Sequence, residues 1–266
     1  MTPPFPHGDR SAQRLAASSA EESAACLPAL RRLAALTPLS ESDRAILSDA
    51  MIDPCSIPAR HSFMTLGRPV PAPVLLMQGW AARVRILPDG RRQFISFYLP
   101  GDRIGGGRQP MPVATATIVA VTECLVCAAP EAAPGSTLEQ AYAIGDALEE
   151  AYLIGHVVQL GRLNAQERIG DFMLEIHERL ALAGLTVGGS FEMPLTQEML
   201  ADALGLTPVH VNRMIQQARR DGELMWKSGR VLLRDPERTA RTIGRQSPRV
   251  TAPRPNEAAG LAIRAS

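Results

Sequence analysis

The chain has 266 residues, 45% of them hydrophobic and 21% charged, with a formal net charge of +1. That length makes one large domain or two modest ones, and a near-neutral balance excludes a polyelectrolyte, so any nucleic-acid surface must be a local concentration of basic residues. No apolar run reaches the roughly 18 residues of a membrane span, and the N-terminus has no signal-peptide core. The expected location is therefore cytoplasmic, with no membrane partner.

Residues 1–25 are rich in Pro, Ala and Ser without apolar periodicity, which predicts a disordered arm. "LPALRRLAALTPLSESDRAIL", Leu27 to Leu47, predicts short helices, with Ser40 as an N-cap before Asp43–Leu47. From about Met51 to Ala129 the pattern changes to strand-like runs such as "RQFISFYL" and "ATIVAVTECLVCAA", separated by glycines. "LPDGRR", Leu87 to Arg92, carries the Asp-Gly signal of a tight hairpin. Short strands between glycine turns imply a β-roll or barrel of roughly 80 residues, within a domain assigned to residues 26–134.

Ser136 then caps a long helix over 135–164. Leu138, Ala141, Gly145, Leu148, Tyr152 and Gly155 recur along it at three-to-four spacing, while Ile144, Ile154 and Val157 lie off that stripe. A helix apolar on several sides packs on more than one partner. One is the roll; the other is most simply the same helix of a second subunit, burial within one domain being the alternative. A second amphipathic helix, "NAQERIGDFMLEIHERLALAG", opens a domain over 165–240. Beyond it, Arg241, Arg245, Arg249, Arg254 and Arg264 face only Glu257, among three prolines, which predicts a basic disordered tail over 241–266.

The most informative stretch is "LTQEMLADALGLTPVHVNRMIQQAR", Leu195 to Arg219. Thr196 is an N-cap, Gln197–Leu204 makes two turns, and Gly205 supplies the positive φ that ends them. Thr207 caps a second helix with Pro208 at its first position, where a missing N–H costs nothing. Val211, Met214, Ile215 and Ala218 share one face of that helix; Val209, Asn212, Arg213 and Gln216 share the other. Two short helices joined this tightly form a helix-turn-helix, whose second helix suits the DNA major groove. The following "DGELMWKSGRVLLRDPERTA" reads as strand, glycine turn, strand: a wing. From Thr207 to Arg234, Arg213, Arg219, Arg220, Lys227, Arg230 and Arg234 stand against Asp221 and Glu223, a local net of +4 that suits phosphates.

A roll, a long helix and a C-terminal winged helix-turn-helix, in that order, resemble the Crp/Fnr family of bacterial transcription regulators. The likeness covers residues 30–240 and is strongest in "LTQEMLADALGLTPVHVNRMIQQARRDGEL"; "GWAARVRILPDGRRQFISFYLPGD" also looks like the roll of this family. It implies an α+β fold and a homodimer reading a two-fold-symmetric operator, with double-stranded DNA, a second copy of the chain and RNA polymerase as partners. Carried across by position, Pro208, Val209, Asn212 and Arg213 form the base-reading face. Thr196, Thr207, His210, Gln216, Lys227 and Arg230 are the phosphate-contacting set. Family members often have an acidic residue where Val209 stands; valine can only touch a thymine methyl.

In nucleotide-binding members the roll has a Gly-Glu pair and then an Arg-Ser/Thr-Ala run. Here Gly105 aligns with the glycine, Gly106 stands at the glutamate, Ala114 at the arginine, and Thr115-Ala116 matches the end of the second run. The pocket is expected to be degenerate and not to bind cyclic AMP, with Arg108 the one candidate substitute for the missing arginine.

Other chemistry is weakly signalled. Cys124-x-x-Cys127 lies in a strand-like run, where residues three apart point to opposite faces, so the two thiols cannot share a metal. Near the N-terminus only Cys26 could serve an iron–sulfur cluster, and His61, His156 and His177 are isolated. Neither a metal nor another cofactor is expected, and no motif supports an enzyme. The rival reading is a small-ligand module or scaffold whose output is not DNA binding.

Overall fold

A computed structural model describes residues 27–107 and 110–251. The N-terminal arm, Cys26, Arg108 and residues 252–266 lie outside the described residues.

Residues 27–36 are helical (α1), and α2 follows at Glu41–Ala50. Ser40 caps α2, its hydroxyl accepting from the Asp43 N–H at 3.1 Å. The buried Asp43 carboxylate in turn accepts from the Thr137 hydroxyl and from the Leu138 N–H at the start of the long helix. α2 is thereby fastened to an element 94 residues further along.

Eight strands form the roll: β1 (Cys55–Ile57), β2 (Ser62–Met64), β3 (Val74–Gln78), β4 (Ala81–Ile86), β5 (Arg92–Tyr98), β6 (Arg103–Ile104), β7 (Thr117–Ala120) and β8 (Cys124–Ala128). They pair antiparallel in two four-stranded sheets, ordered β1-β8-β3-β6 and β2-β7-β4-β5. The β4–β5 hairpin closes through Pro88-Asp89-Gly90: Gly90 N–H reaches Leu87 O at 2.9 Å and Leu87 N–H reaches Arg91 O at 2.7 Å. Gly90 has φ +87°, the left-handed residue this three-residue turn requires. At Gly79, φ +85°, an added Cβ would stand 2.2 Å from Glu123 O, so only glycine fits there.

Sheet β2-β7-β4-β5 is covered on both faces, which explains why its strands are apolar at odd and even positions alike. Ala81, Tyr98, Ile118 and Ala120 turn into the roll. Trp80, Ala82, Val84, Phe94 and Phe97 turn outward and share one core with the C-terminal half. Phe97 packs edge-on against Phe172 with ring centroids 5.6 Å apart, a geometry aromatic pairs favour.

α3 (Thr137–Arg162) is capped by Ser136, and α4 (Ala165–Leu182) begins with a capping box between Asn164 and Glu167. Arg168 of α4 then ties down the ends of α3 and α5, donating to Leu160 O, Leu163 O and Leu204 O at 2.8–3.0 Å. Strands β9 (Thr186–Val187) and β10 (Ser190–Glu192) precede helices α5 (Gln197–Leu204) and α6 (Pro208–Arg220). Strands β11 (Leu224–Lys227) and β12 (Arg230–Leu233) then complete a sheet ordered β11-β12-β10-β9. Among the described residues no helix is long and apolar enough to cross a membrane.

Two expectations are corrected. Disorder does not begin at residue 241: Pro236–Ile243 is a helix (α7), and Arg245 folds back onto α4. There it pairs with Asp171 and, at 2.9 Å, with Glu178, remaining 8% exposed. Two acids one helical face apart give this arginine a partner that the tail's own sequence lacks. The α3 stripe assigned to the dimer helix packs largely within this chain. Leu138 and Ala141 are buried with α1, α2 and β3, Leu148 is buried, and Gly145 faces Leu36. Tyr152 lies beneath the Arg179 guanidinium, 5.1 Å from its ring centroid. Of that stripe Gly155 alone is exposed.

Candidate nucleic-acid interface

The residues of the α5-turn-α6 unit build it locally. Thr196 accepts from the Met199 N–H at 3.1 Å, and Thr207 accepts from the His210 N–H at 3.2 Å, so each helix starts at its own threonine. Gly205 adopts φ +63°, ending α5 in the left-handed conformation, and the Leu206 N–H bonds Ala201 O at 3.0 Å. Leu200, Ala201, Ala203 and Leu204 of α5 meet Val211, Ile215 and Ala218 of α6 in the common core. Met214 is half-buried against the same core. What remains outside is the reading face: Val209, 80% exposed, with Pro208, Asn212, Arg213 and Gln216. Asn212 Nδ2 donates to Gln197 Oε1 at 3.0 Å, which orients its amide beside the α5 start. Arg213 has no ion pair among the described residues.

The wing turns through Ser228 and Gly229, φ +51° and +71°, the pair of positive values of a two-residue hairpin turn. Its flanking residues Lys227 and Arg230 pair across the strands and are exposed. Arg230 meets Glu192 at 3.4 Å, an exposed ion pair of little energetic weight that leaves its charge available. Neutralising Lys227 and Arg230 together should weaken DNA of every sequence about equally. It should also flatten the dependence of log affinity on log salt by roughly one unit for each phosphate no longer neutralised. An unchanged slope would remove the wing from the interface.

The roll carries a cavity of about 1010 Å³ lined by Gly105, Gly106, Ala114 and Thr115, where the degenerate pocket was expected. Gly106 has φ +75°, so the glutamate of nucleotide-binding relatives would be strained there. Ala114 is buried, its backbone bonded to Gly67 and Arg68. The expectation that Arg108 is the one candidate cation needs correction, because Arg83 and Arg103 line the same cavity. Both are engaged: Arg83 with Glu149 at 2.6 Å and with the Tyr98 hydroxyl, Arg103 with Asp146 at 2.9 Å and over the Tyr142 ring. Glu131 and Glu139 line the wall as well, so acids outnumber bases among the described lining residues.

Cys124 and Cys127 point to opposite faces of β8, Cys124 into the roll and Cys127 toward α1 and α3. Burial pushes the Cys124 thiol up to about 11, which makes it inert rather than reactive. His61, His156 and His177 stay apart: His61 is exposed, His156 meets Gln159 at 3.0 Å, and His177 leans on Phe191. Among the described residues no group of three or more His, Cys, Asp or Glu could hold a metal.

Sequence reasoning missed what joins the roll to the reading unit. Arg92 pairs with Asp202 of α5 at 2.5 Å, and Gln93 Nε2 donates to Ala203 O at 2.8 Å. Arg179 of α4 donates to Asp102 of the roll at 2.8 Å, and Arg32 of α1 pairs with the same carboxylate. Burial alone would raise the Asp102 pKa; the two guanidiniums outweigh it and hold the carboxyl below its ordinary value. Partners lying 70 to 110 residues apart leave no local signal. The β9–β10 hairpin did leave one, the Gly188-Gly189 pair between β-branched and aromatic residues.

A strand-built roll, a long helix and a basic winged helix-turn-helix define a DNA-binding regulator with an attached sensor-like domain. Residues 167–241 match the Crp-like helix-turn-helix domain. The chain is 33% identical over 172 residues to the nitrogen fixation regulation protein FixK of Bradyrhizobium diazoefficiens, spanning 61% of this chain and 70% of that one. It is 30% identical to the transcriptional activator protein FnrL of Cereibacter sphaeroides, over 55% of this chain and 62% of that one. The fold matches that of FixK2 from Bradyrhizobium japonicum with a TM-score of 0.60 at 24% identity, covering 75% of this chain and 98% of that structure. The chain belongs to the Crp/Fnr family of transcription regulators.

Proposed function

We propose that this regulator acts as a homodimer on a two-fold-symmetric operator, each α6 entering a major groove, without cyclic AMP as effector. The observation that carries the reading is the exposed Asn212–Arg213 face on a helix whose other side is locked into the core. Arginine and asparagine offer the bidentate donors and acceptors that match guanine and adenine edges. Cytoplasmic DNA is the target this implies, and relatives named as activators favour RNA polymerase as a further partner.

Dimerisation is supported by a second face of α3. Ile154, Val157 and Val158 are 59%, 71% and 52% exposed, at helical spacing with Gly155 and Gly161, where an added Cβ would meet nothing within 4 Å. An exposed apolar stripe of this kind marks an association surface. Ile154→Glu with Val157→Glu should yield a monomer in sedimentation and weaken binding to a paired half-site much more than to a single one. A double variant that sediments as the parent does would place the interface elsewhere.

The acidic balance of the roll cavity supports independence from cyclic nucleotides. A cyclic phosphate there would need a free guanidinium, and taking one from Glu149 or Asp146 breaks an existing pair. Calorimetric titration with cyclic AMP and cyclic GMP should show no binding in the micromolar range. Micromolar affinity for either, lost in Arg83→Ala, Arg103→Ala or Arg108→Ala, would identify a phosphate ligand and refute this part of the reading.

A further inference from the structure

We infer that a small cavity where α1, the roll, α3 and α4 meet is a binding site for a small oxyanion, of the size of nitrate, bicarbonate or formate, held by Arg32 and Arg179. The cavity measures about 40 Å³ and is walled by Arg32, Ser96, Asp102, Tyr142, Tyr152 and Arg179 among others. It adjoins the large roll cavity, sharing Tyr98, Arg103, Tyr142, Asp146 and Glu149 with it, but Arg32, Asp102 and Arg179 line the small one alone. A single water needs on the order of 10–15 Å³ by the same measure, so the space fits one planar anion and excludes a nucleotide.

The wall is rich in donors. Among the described residues, six buried side-chain polar atoms have no hydrogen-bond partner. Five of them belong to residues that line this cavity: Arg32 Nε and Nη1, Arg179 Nε, the Ser96 hydroxyl and the Tyr142 hydroxyl. Guanidinium N–H groups can only donate, and each hydroxyl can donate as well. Arg32, Arg179 and Tyr142 are 3%, 6% and 7% exposed, so bulk water does not satisfy them. Such clustering of buried unpaired donors calls for a guest made of acceptors, which is what a two- or three-oxygen anion is.

Charge agrees with geometry. Asp146 and Glu149 are committed to Arg103 and Arg83, which leaves Arg32 and Arg179 to share Asp102. Glu175 is the second acid on Arg179, and burial pushes its carboxyl up, away from the charged form. Gly101 makes the arrangement possible: a Cβ there would meet Arg32 Cβ at 2.7 Å and drive the arginine off the turn.

The test is a titration of the full-length protein with nitrate, formate and bicarbonate at constant ionic strength, against chloride, read by thermal melting and calorimetry. At least one oxyanion should raise Tm saturably above chloride. Tyr142→Phe and Ser96→Ala should each weaken that anion by about tenfold, since one donor is removed and the fold is kept. Arg213→Ala, on the DNA face, should leave the response intact. No stabilisation by any oxyanion beyond chloride would mean that the cavity holds water only, and the proposal fails. A response that survives in the Tyr142→Phe, Ser96→Ala double variant would place the anion elsewhere and overturn it equally.

Discussion

Asp102→Asn should destabilise the protein by about 3–5 kcal/mol, a fall in Tm on the order of 10 °C for a chain of this length. The substitution keeps the side chain's shape and removes its charge. Arg32 and Arg179, 4% and 7% exposed at their side chains, would then stand buried with Glu175 as the one paired acid of Arg179 and none for Arg32 among the described residues. The Leu99 N–H, which Asp102 accepts at 2.7 Å, can still be met by the asparagine oxygen, so the loss is chiefly electrostatic. pH provides a second reading. Because the folded carboxyl is held below its unfolded value, the stability it confers is present above the ordinary carboxylate range and is lost as pH falls through the folded pKa. Chemical denaturation from neutral pH downward should therefore bring the parent and Asp102→Asn curves together in acid. Curves that stay parallel would mean that Asp102 contributes by shape alone.

Arg213→Ala should cost roughly 1–3 kcal/mol of specific DNA affinity and relax selectivity at one base pair of each half-site. Its guanidinium is exposed on the outer face of α6, one turn after the Val209 position, with Val211 and Ile215 holding the helix from behind. A bidentate arginine pairing with guanine carries that discrimination, whereas a phosphate partner would weaken all sequences alike. Comparing affinities for the parental site and its single-base variants separates the two. Equal loss on every sequence would reassign Arg213 to the backbone.

The reading unit was legible because its determinants are local. Thr196, Gly205, Thr207 and Pro208 fix caps and turn within a dozen residues, and the apolar spacing of α6 chooses its buried face. The β4–β5 hairpin was legible for the same reason, through Asp89-Gly90. α3 was not, because a helix apolar on several sides does not say which side its own chain takes; Leu36, Tyr98 and Arg179, packed against it, decide that. Arg83 and Arg103 escaped notice because their direction depends on strand register, Arg83 beside a bulge in the β4–β5 pairing. Arg245 looked like one charge in a solvated tail until Asp171 and Glu178, 74 and 67 residues away, supplied its partners.

Whether a dimer reads a symmetric operator through α6 is decided by selecting bound DNA from a random duplex library with the full-length protein and no added nucleotide. The expected product is an inverted repeat whose half-sites lie about one helical turn apart, roughly 34–36 Å. Each half should contain a guanine whose preference disappears with Arg213→Ala. Recovery of no motif, or of a single unpaired half-site bound as tightly as any repeat, would contradict that reading.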